Sequence, residues 1–136
     1  RYNGSKVDGF LNGIKSTTST AGTRTMGTGD FYLALARIQP THMGVNAYFK
    51  GAIDEFRIWN SALTQAQIIA NQDASVYGST GLMLYYNFNN QGSPGANNTA
   101  VTSITDQSGN NRFGSFNNVS LNGGSNNFVT SLLTGY

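Results

Sequence analysis

The sequence predicts an all-β fold carrying one short helix, and three observations lead there. Apolar residues alternate with polar ones in several short stretches, the spacing of half-buried strands. Turn-forming pairs punctuate those stretches, as at Asn3-Gly4, Asp8-Gly9 and Asn12-Gly13. Helical spacing, with its own start signal, is confined to a short stretch from Thr64 to Gln72.

Taken in order, Leu11-Asn12-Gly13-Ile14 carries the strongest hairpin signal, because a two-residue turn with positive φ at both central positions selects Asn-Gly. It predicts strands over residues 6–11 and 14–18. Ser16 to Gly29 reads as a Thr, Ser and Gly loop, and Phe31 to Ile38 as the next strand, apolar on both faces and so covered on both. Gln39-Pro40-Thr41-His42-Met43-Gly44 ends that strand and holds the single histidine. A lone His beside a Pro turn reads first as a solvated loop residue and second as one bordering a ligand surface.

From Ala52 the alternation sets Ala52, Asp54, Phe56 and Ile58 on one face and Ile53, Glu55, Arg57 and Trp59 on the other. An inward Asp54 needs amides, a cation or a metal to satisfy its carboxylate. Thr64 with Gln67 then forms a capping box, and Leu63 with Ile68 a hydrophobic staple, predicting a helix over 65–72 with Ile68 and Ile69 on its buried face. Leu82 to Phe88 is a strong strand whose Leu82, Leu84 and Tyr86 are expected to share one core with Phe56 and Ile58. Asn89 to Ala100 is a loop. Val101 to Ile104, Phe113 to Phe116, Val119 to Leu121 and Phe128 to Leu133 come next as short β segments.

At 136 residues the chain has the length of one domain. Charged residues make up only 10%, and the polar surface is Asn, Ser, Thr and Gln, a composition typical of extracellular β proteins. The 8 Lys and Arg are scattered, against 6 acids, which argues against a nucleic-acid partner. Cysteine is absent, excluding disulfides and thiolate metal sites. No apolar run has the length of a membrane span. Sequons at Asn3, Asn97 and Asn118 carry little weight in a chain so rich in Asn, Ser and Thr.

Gly51-Ala-Ile-Asp-Glu-Phe-Arg-Ile-Trp-Asn-Ser-Ala-Leu-Thr resembles the last core strand and following helix of laminin-G-like, concanavalin-A-like jelly-roll domains in secreted bacterial proteins. Tyr2-Asn-Gly-Ser-Lys-Val and Phe10-Leu-Asn-Gly are similar to the upstream turn and hairpin of that family. Gly81-Leu-Met-Leu-Tyr-Tyr-Asn-Phe-Asn, then Asp106-Gln-Ser-Gly-Asn-Asn and Phe113-Gly, resemble the segment trailing such domains in large Bacteroidetes-type surface proteins. The resemblance implies a jelly-roll β-sandwich of antiparallel sheets. Residues 1–90 would be the C-terminal part of the jelly roll and 91–136 a trailing Asn/Gly-rich β segment packed on it. Arg1 falls inside the family pattern, so the chain reads as part of a longer polypeptide.

The function this implies is a non-catalytic carbohydrate-binding or adhesion module, secreted or at the cell surface, whose partner is a glycan or a cell-surface protein. The alternative is a structural stalk, filament or viral surface-decoration module without glycan binding. Glycoside hydrolysis needs two carboxyls facing each other across a cleft. Asp54 and Glu55, as neighbours on a strand, cannot supply them, and no Ser stands in a nucleophile-elbow motif. The resemblance does imply a structural calcium, for which Asp54, Asp106 and Asn110 offer oxygen ligands. The competing reading makes Asp106 an Asx-turn and gives Asp54 backbone amides or an Arg. For a sugar ligand the candidates are Trp59, Tyr48 and His42, although aromatics of a β domain are more often core.

Overall fold

The computed structural model describes residues 1–23, 37–38, 47–49, 51–72, 74–89, 91–124 and 127–130. Its elements are β1 (Lys6–Leu11), β2 (Ile14–Ala21), β3 (Arg37–Ile38), β4 (Ala47–Tyr48), β5 (Phe56–Trp59), α1 (Gln65–Ala70), β6 (Leu82–Tyr86), β7 (Ser103–Ile104) and β8 (Gly114–Ser115). The strands pair antiparallel as β1–β2, β3–β4, β5–β6 and β7–β8. The described chain is therefore all-β with one short helix. No helix among the described residues is long and apolar enough to cross a membrane.

Two compact units are distinguished, Arg1–Thr23 with Asp54–Tyr136, and Arg24–Ile53. In the smaller one, Arg37 pairs with Tyr48 and Ile38 with Ala47. Residues 31–36 of the expected Phe31 strand and His42 lie outside the described residues.

In the larger unit the first hairpin turns on Asn12 and Gly13, with φ of 49° and 74°, the double positive φ that the Asn-Gly signal predicts. The strand after it runs to Ala21 rather than ending at 18. A Cβ on Gly13 would stand 2.5 Å from Ile69 Cγ1, so the turn lies directly against α1. Gln65 Nε2 fastens the contact by donating to the Gly13 carbonyl at 3.1 Å. On the inner side of the hairpin Asp8 is buried. Arg1 meets it at 2.6 Å and Lys15 at 3.1 Å, while the Ser19 hydroxyl donates to it at 2.7 Å.

Helix α1 starts with both halves of its capping box. Thr64 Oγ1 accepts the Gln67 N–H at 3.2 Å, and Gln67 Oε1 accepts the Thr64 N–H at 2.8 Å. It ends at Ala70, with Asn71 as C-cap, instead of reaching 72. The expected apolar face forms only in part, since Ile68 is half-buried and Ile69 is 51% exposed. Polar ties supply much of what holds this helix, from Gln65 to the Gly13 carbonyl and from Arg57 to the Asn71 carbonyl.

The core lies on β6. Its register with β5 is Phe56↔Tyr86, Arg57↔Tyr85, Ile58↔Leu84 and Trp59↔Leu82, with a slip at Ile58/Trp59 that leaves Met83 as the extra residue of a bulge. The bulge reverses parity, and Leu82 joins Tyr85 and Val76 in a cluster against which Trp59 packs. Leu84 and Tyr86 are buried on the opposite face, where the Tyr86 and Phe56 ring centroids are 6.3 Å apart. The one-sided core expected from simple alternation is thus split across both faces, and Ile58 is 38% exposed.

The segment after Phe88 folds back on β6. The Gln107 N–H donates to the Tyr85 carbonyl at 2.8 Å, and Tyr86 Oη to the Arg112 carbonyl at 2.7 Å. Among its described residues Ile104 and Leu121 are buried apolar ones. No strand forms over 119–121 or 128–130, and residues 131–133 of the expected Phe128 segment lie outside the described residues.

Candidate functional site

Glu55 has φ of 53°, a left-handed conformation that ends the alternation running from Ala52. The strand begins only at Phe56. Asp54 therefore lies outside the strand whose alternation set its expected face; it is half-buried, and its Oδ1 accepts the Glu55 N–H at 2.9 Å. Its place is the wall of an open cleft of about 480 Å³. Trp59, Asn12, Asn71 and Gln72 share that wall, with Phe10, Leu63 and Ile68 as its apolar part. The first hairpin, β5 with the residues before it, and α1 with its flanks supply these residues, so the cleft is a product of the Gly13–α1 contact.

Trp59 is half-buried, packed against the Val76, Leu82 and Tyr85 cluster and lining the cleft. Arg57 fixes the base of the cleft. Its Nη1 donates to the Asn71 carbonyl and its Nη2 to Glu55 Oε2 and, at 3.0 Å, to the Ala74 carbonyl. A guanidinium on the last carbonyls of a helix suits their partial negative charge. Tyr85 Oη donates to the same Glu55 Oε2 at 2.5 Å. Burial, and then the Glu55 carboxylate, push the Tyr85 phenol up to about 12. Glu55 Oε2 thereby accepts from both side chains at once.

Asp106 and Asn110 lie elsewhere, in the turn along β6. Asp106 is buried, and its carboxylate accepts from the Tyr85 N–H at 3.0 Å, the Ser108 N–H at 2.9 Å, the Ser108 hydroxyl at 2.9 Å and the Arg112 N–H at 3.0 Å. Burial alone would raise this carboxyl, and the bonds from Arg112, Ser108 and Tyr85 bring it below its ordinary value. Asn110 turns its Nδ2 toward the Leu82 carbonyl at 3.0 Å. Four donors fill the roughly four lone-pair directions of a carboxylate, so this turn does not fit a calcium ion as it stands. Among the described residues no three His, Cys, Asp or Glu side chains gather where they could hold a metal.

Of the sugar-contact candidates, the structure places Trp59 in the cleft, leaves the Tyr48 side chain undescribed and His42 outside the described residues. The Glu55–Arg57–Tyr85 cluster and the Asp8 cluster are not legible in the sequence. Their only signal there is charged residues set between apolar ones in strands, which is also how a solvated face reads.

No curated protein and no solved structure matches the chain. Residues 1–69, half of its length, match the laminin-G-type family model described as the Concanavalin A-like lectin/glucanases superfamily, and the chain belongs to that family.

Proposed function

We propose that this chain is a non-catalytic carbohydrate-binding module of a larger secreted or cell-surface protein, with the Trp59 cleft as its sugar site. Membership of the laminin-G-type family supports a binding or adhesion role at the coarse level. The observation that carries the finer reading is the lining of the cleft. An indole ring stands beside a carboxylate, Asp54, and the amides of Asn12, Asn71 and Gln72. Sugars stack their apolar faces on aromatic rings while their hydroxyls exchange hydrogen bonds with such groups.

Hydrolysis of the bound sugar has little support among the described acids. Asp8 is held by Arg1 and Lys15, Glu55 by Arg57 and Tyr85, and Asp106 by its own turn. Asp54 shares its cleft with Glu55, whose Oε2 is taken by Arg57 and Tyr85.

Trp59 is the single tryptophan, so intrinsic fluorescence reports on the cleft directly. Titration of the full chain with a panel of soluble oligosaccharides should give a saturable change with at least one, without release of reducing ends. Gln72→Ala should weaken that response and leave the unfolding midpoint in place. Absence of any response across the panel and across a printed glycan array rejects the proposal.

A further inference from the structure

We infer that the Asp106 turn closes the outer edge of β6 without a metal ion, so that the folded chain neither needs calcium at Asp106 nor binds it there. Tyr85 directs its N–H and carbonyl away from β5, and both are met by the turn, the N–H by Asp106 Oδ1 at 3.0 Å and the carbonyl by the Gln107 N–H at 2.8 Å. The Met83 carbonyl on the same edge accepts from Arg112 Nη1 at 2.7 Å and from Ser108 Oγ at 3.3 Å. The turn therefore stands where a neighbouring strand would otherwise satisfy the ladder.

The carboxylate is what shapes it. Two donors reach each oxygen of Asp106, three of the four being backbone N–H groups, and bonds to an ionised acceptor are roughly twice as strong as neutral ones. Positive φ at Gly109 (85°) and Asn111 (57°) lets the chain reverse tightly enough to bring Arg112 back to Oδ2. A calcium ion would need six to eight oxygens. To join that shell Asp106 would have to release its donors, of which the Tyr85 N–H is buried, and Asn110 turns its Nδ2 to the Leu82 and Met83 carbonyls.

The test is thermal unfolding of the full chain in millimolar calcium and in chelator, with calorimetric titration of calcium chloride alongside. An ion bound only by the folded chain raises the midpoint with its concentration. The expected result is the same midpoint in both media and no heat of binding. Asp106→Asn should lower the midpoint equally in both, because its amide NH2 confronts an N–H donor. Should that variant fail to fold, Ser108→Ala removes one donor, keeps the carboxylate and should show a smaller, calcium-independent loss. A midpoint that climbs with calcium in the unsubstituted chain overturns the inference, as does an Asp106→Asn midpoint equal to that of the unsubstituted chain in chelator.

Discussion

The guanidinium of Arg57 lies over the Tyr85 ring, 5.0 Å from its centroid, while both side chains donate to one oxygen of Glu55. Arg57 and Tyr85 also face each other across the β5–β6 ladder, so the cluster bolts the two strands together. The side chains of Arg57 and Glu55 are only 10% and 12% exposed. Removing one partner from a buried pair leaves the other charge uncompensated. Arg57→Ala should therefore lower stability by about 3–5 kcal/mol. Tyr85→Phe keeps the ring contact and loses only the hydroxyl, an effect of about 1–3 kcal/mol. Urea unfolding of the two variants measures both, and equal losses would show that the Tyr85 hydroxyl on Glu55 carries as much of the cluster as the guanidinium does.

The same cluster sets an alkaline limit. The folded Tyr85 phenol is raised from 10.0 to about 12 by burial and by Glu55, so the unfolded chain releases this proton first as pH climbs. Stability contributed here is fully present below pH 10 and is lost as pH rises toward 12. Tyr85→Phe should flatten that limb in urea midpoints taken over the window. On the acid side the Ser19 hydroxyl, then Arg1, and Lys15 hold the Asp8 carboxyl well below the usual 3.8. Its contribution is present above about pH 4 and disappears as pH falls through the folded value, so Asp8→Asn should remove part of the acid limb.

These clusters mark where the sequence stops being legible. The hairpin and the helix start are readable because Asn12-Gly13 and Thr64–Gln67 act locally, through φ and through a neighbouring amide. The Met83 bulge and the left-handed Glu55 are one-residue events, and each resets the strand parity of the residues beside it. That is why Leu82 changes face and why Asp54 stands outside the alternation that assigns it one. The cleft needs Gly13, Trp59 and Gln72 brought together from three elements, and no spacing along the chain encodes that meeting.

Gly13 gives a direct test of the contact that forms the cleft. Alanine there meets two obstacles, a φ of 74° and Ile69 Cγ1 at 2.5 Å from the new Cβ. The left-handed conformation alone costs a non-glycine residue roughly 1–2 kcal/mol, and displacement of α1 adds to it. Gly13→Ala should therefore destabilise the chain and also weaken any sugar response of Trp59. Gly4→Ala has positive φ but nothing within 4 Å, so it should carry the strain and leave the cleft alone. A comparable loss of binding in both variants would mean that the hairpin acts through overall stability.

Asn98 is the buried centre of the trailing segment, 7% exposed. Its Oδ1 accepts the Ser93 N–H at 2.8 Å, and its Nδ2 donates to the Ser93 carbonyl at 2.8 Å and to Asn127 Oδ1 at 2.9 Å. Its own N–H donates to the Leu121 carbonyl at 2.7 Å. One side chain thus joins two stretches that share no strand pairing, and it does so beside Phe128, whose ring fills the space over Gly92. Asn98→Asp preserves the shape and the Ser93 N–H bond but sets a charge against the Ser93 carbonyl and Asn127 Oδ1, while Asn98→Ala removes the whole bridge. Each buried group left unsatisfied costs about 1–3 kcal/mol. Amide exchange should therefore quicken at Asn98, whose N–H partner is Leu121, and at Gly95, which donates to the Phe128 carbonyl at 3.2 Å. Exchange at Tyr85 and Gln107 should hold, because their bonds belong to the β6 edge and not to this bridge. Faster exchange at both places would show that the trailing segment and β6 open as one cooperative unit.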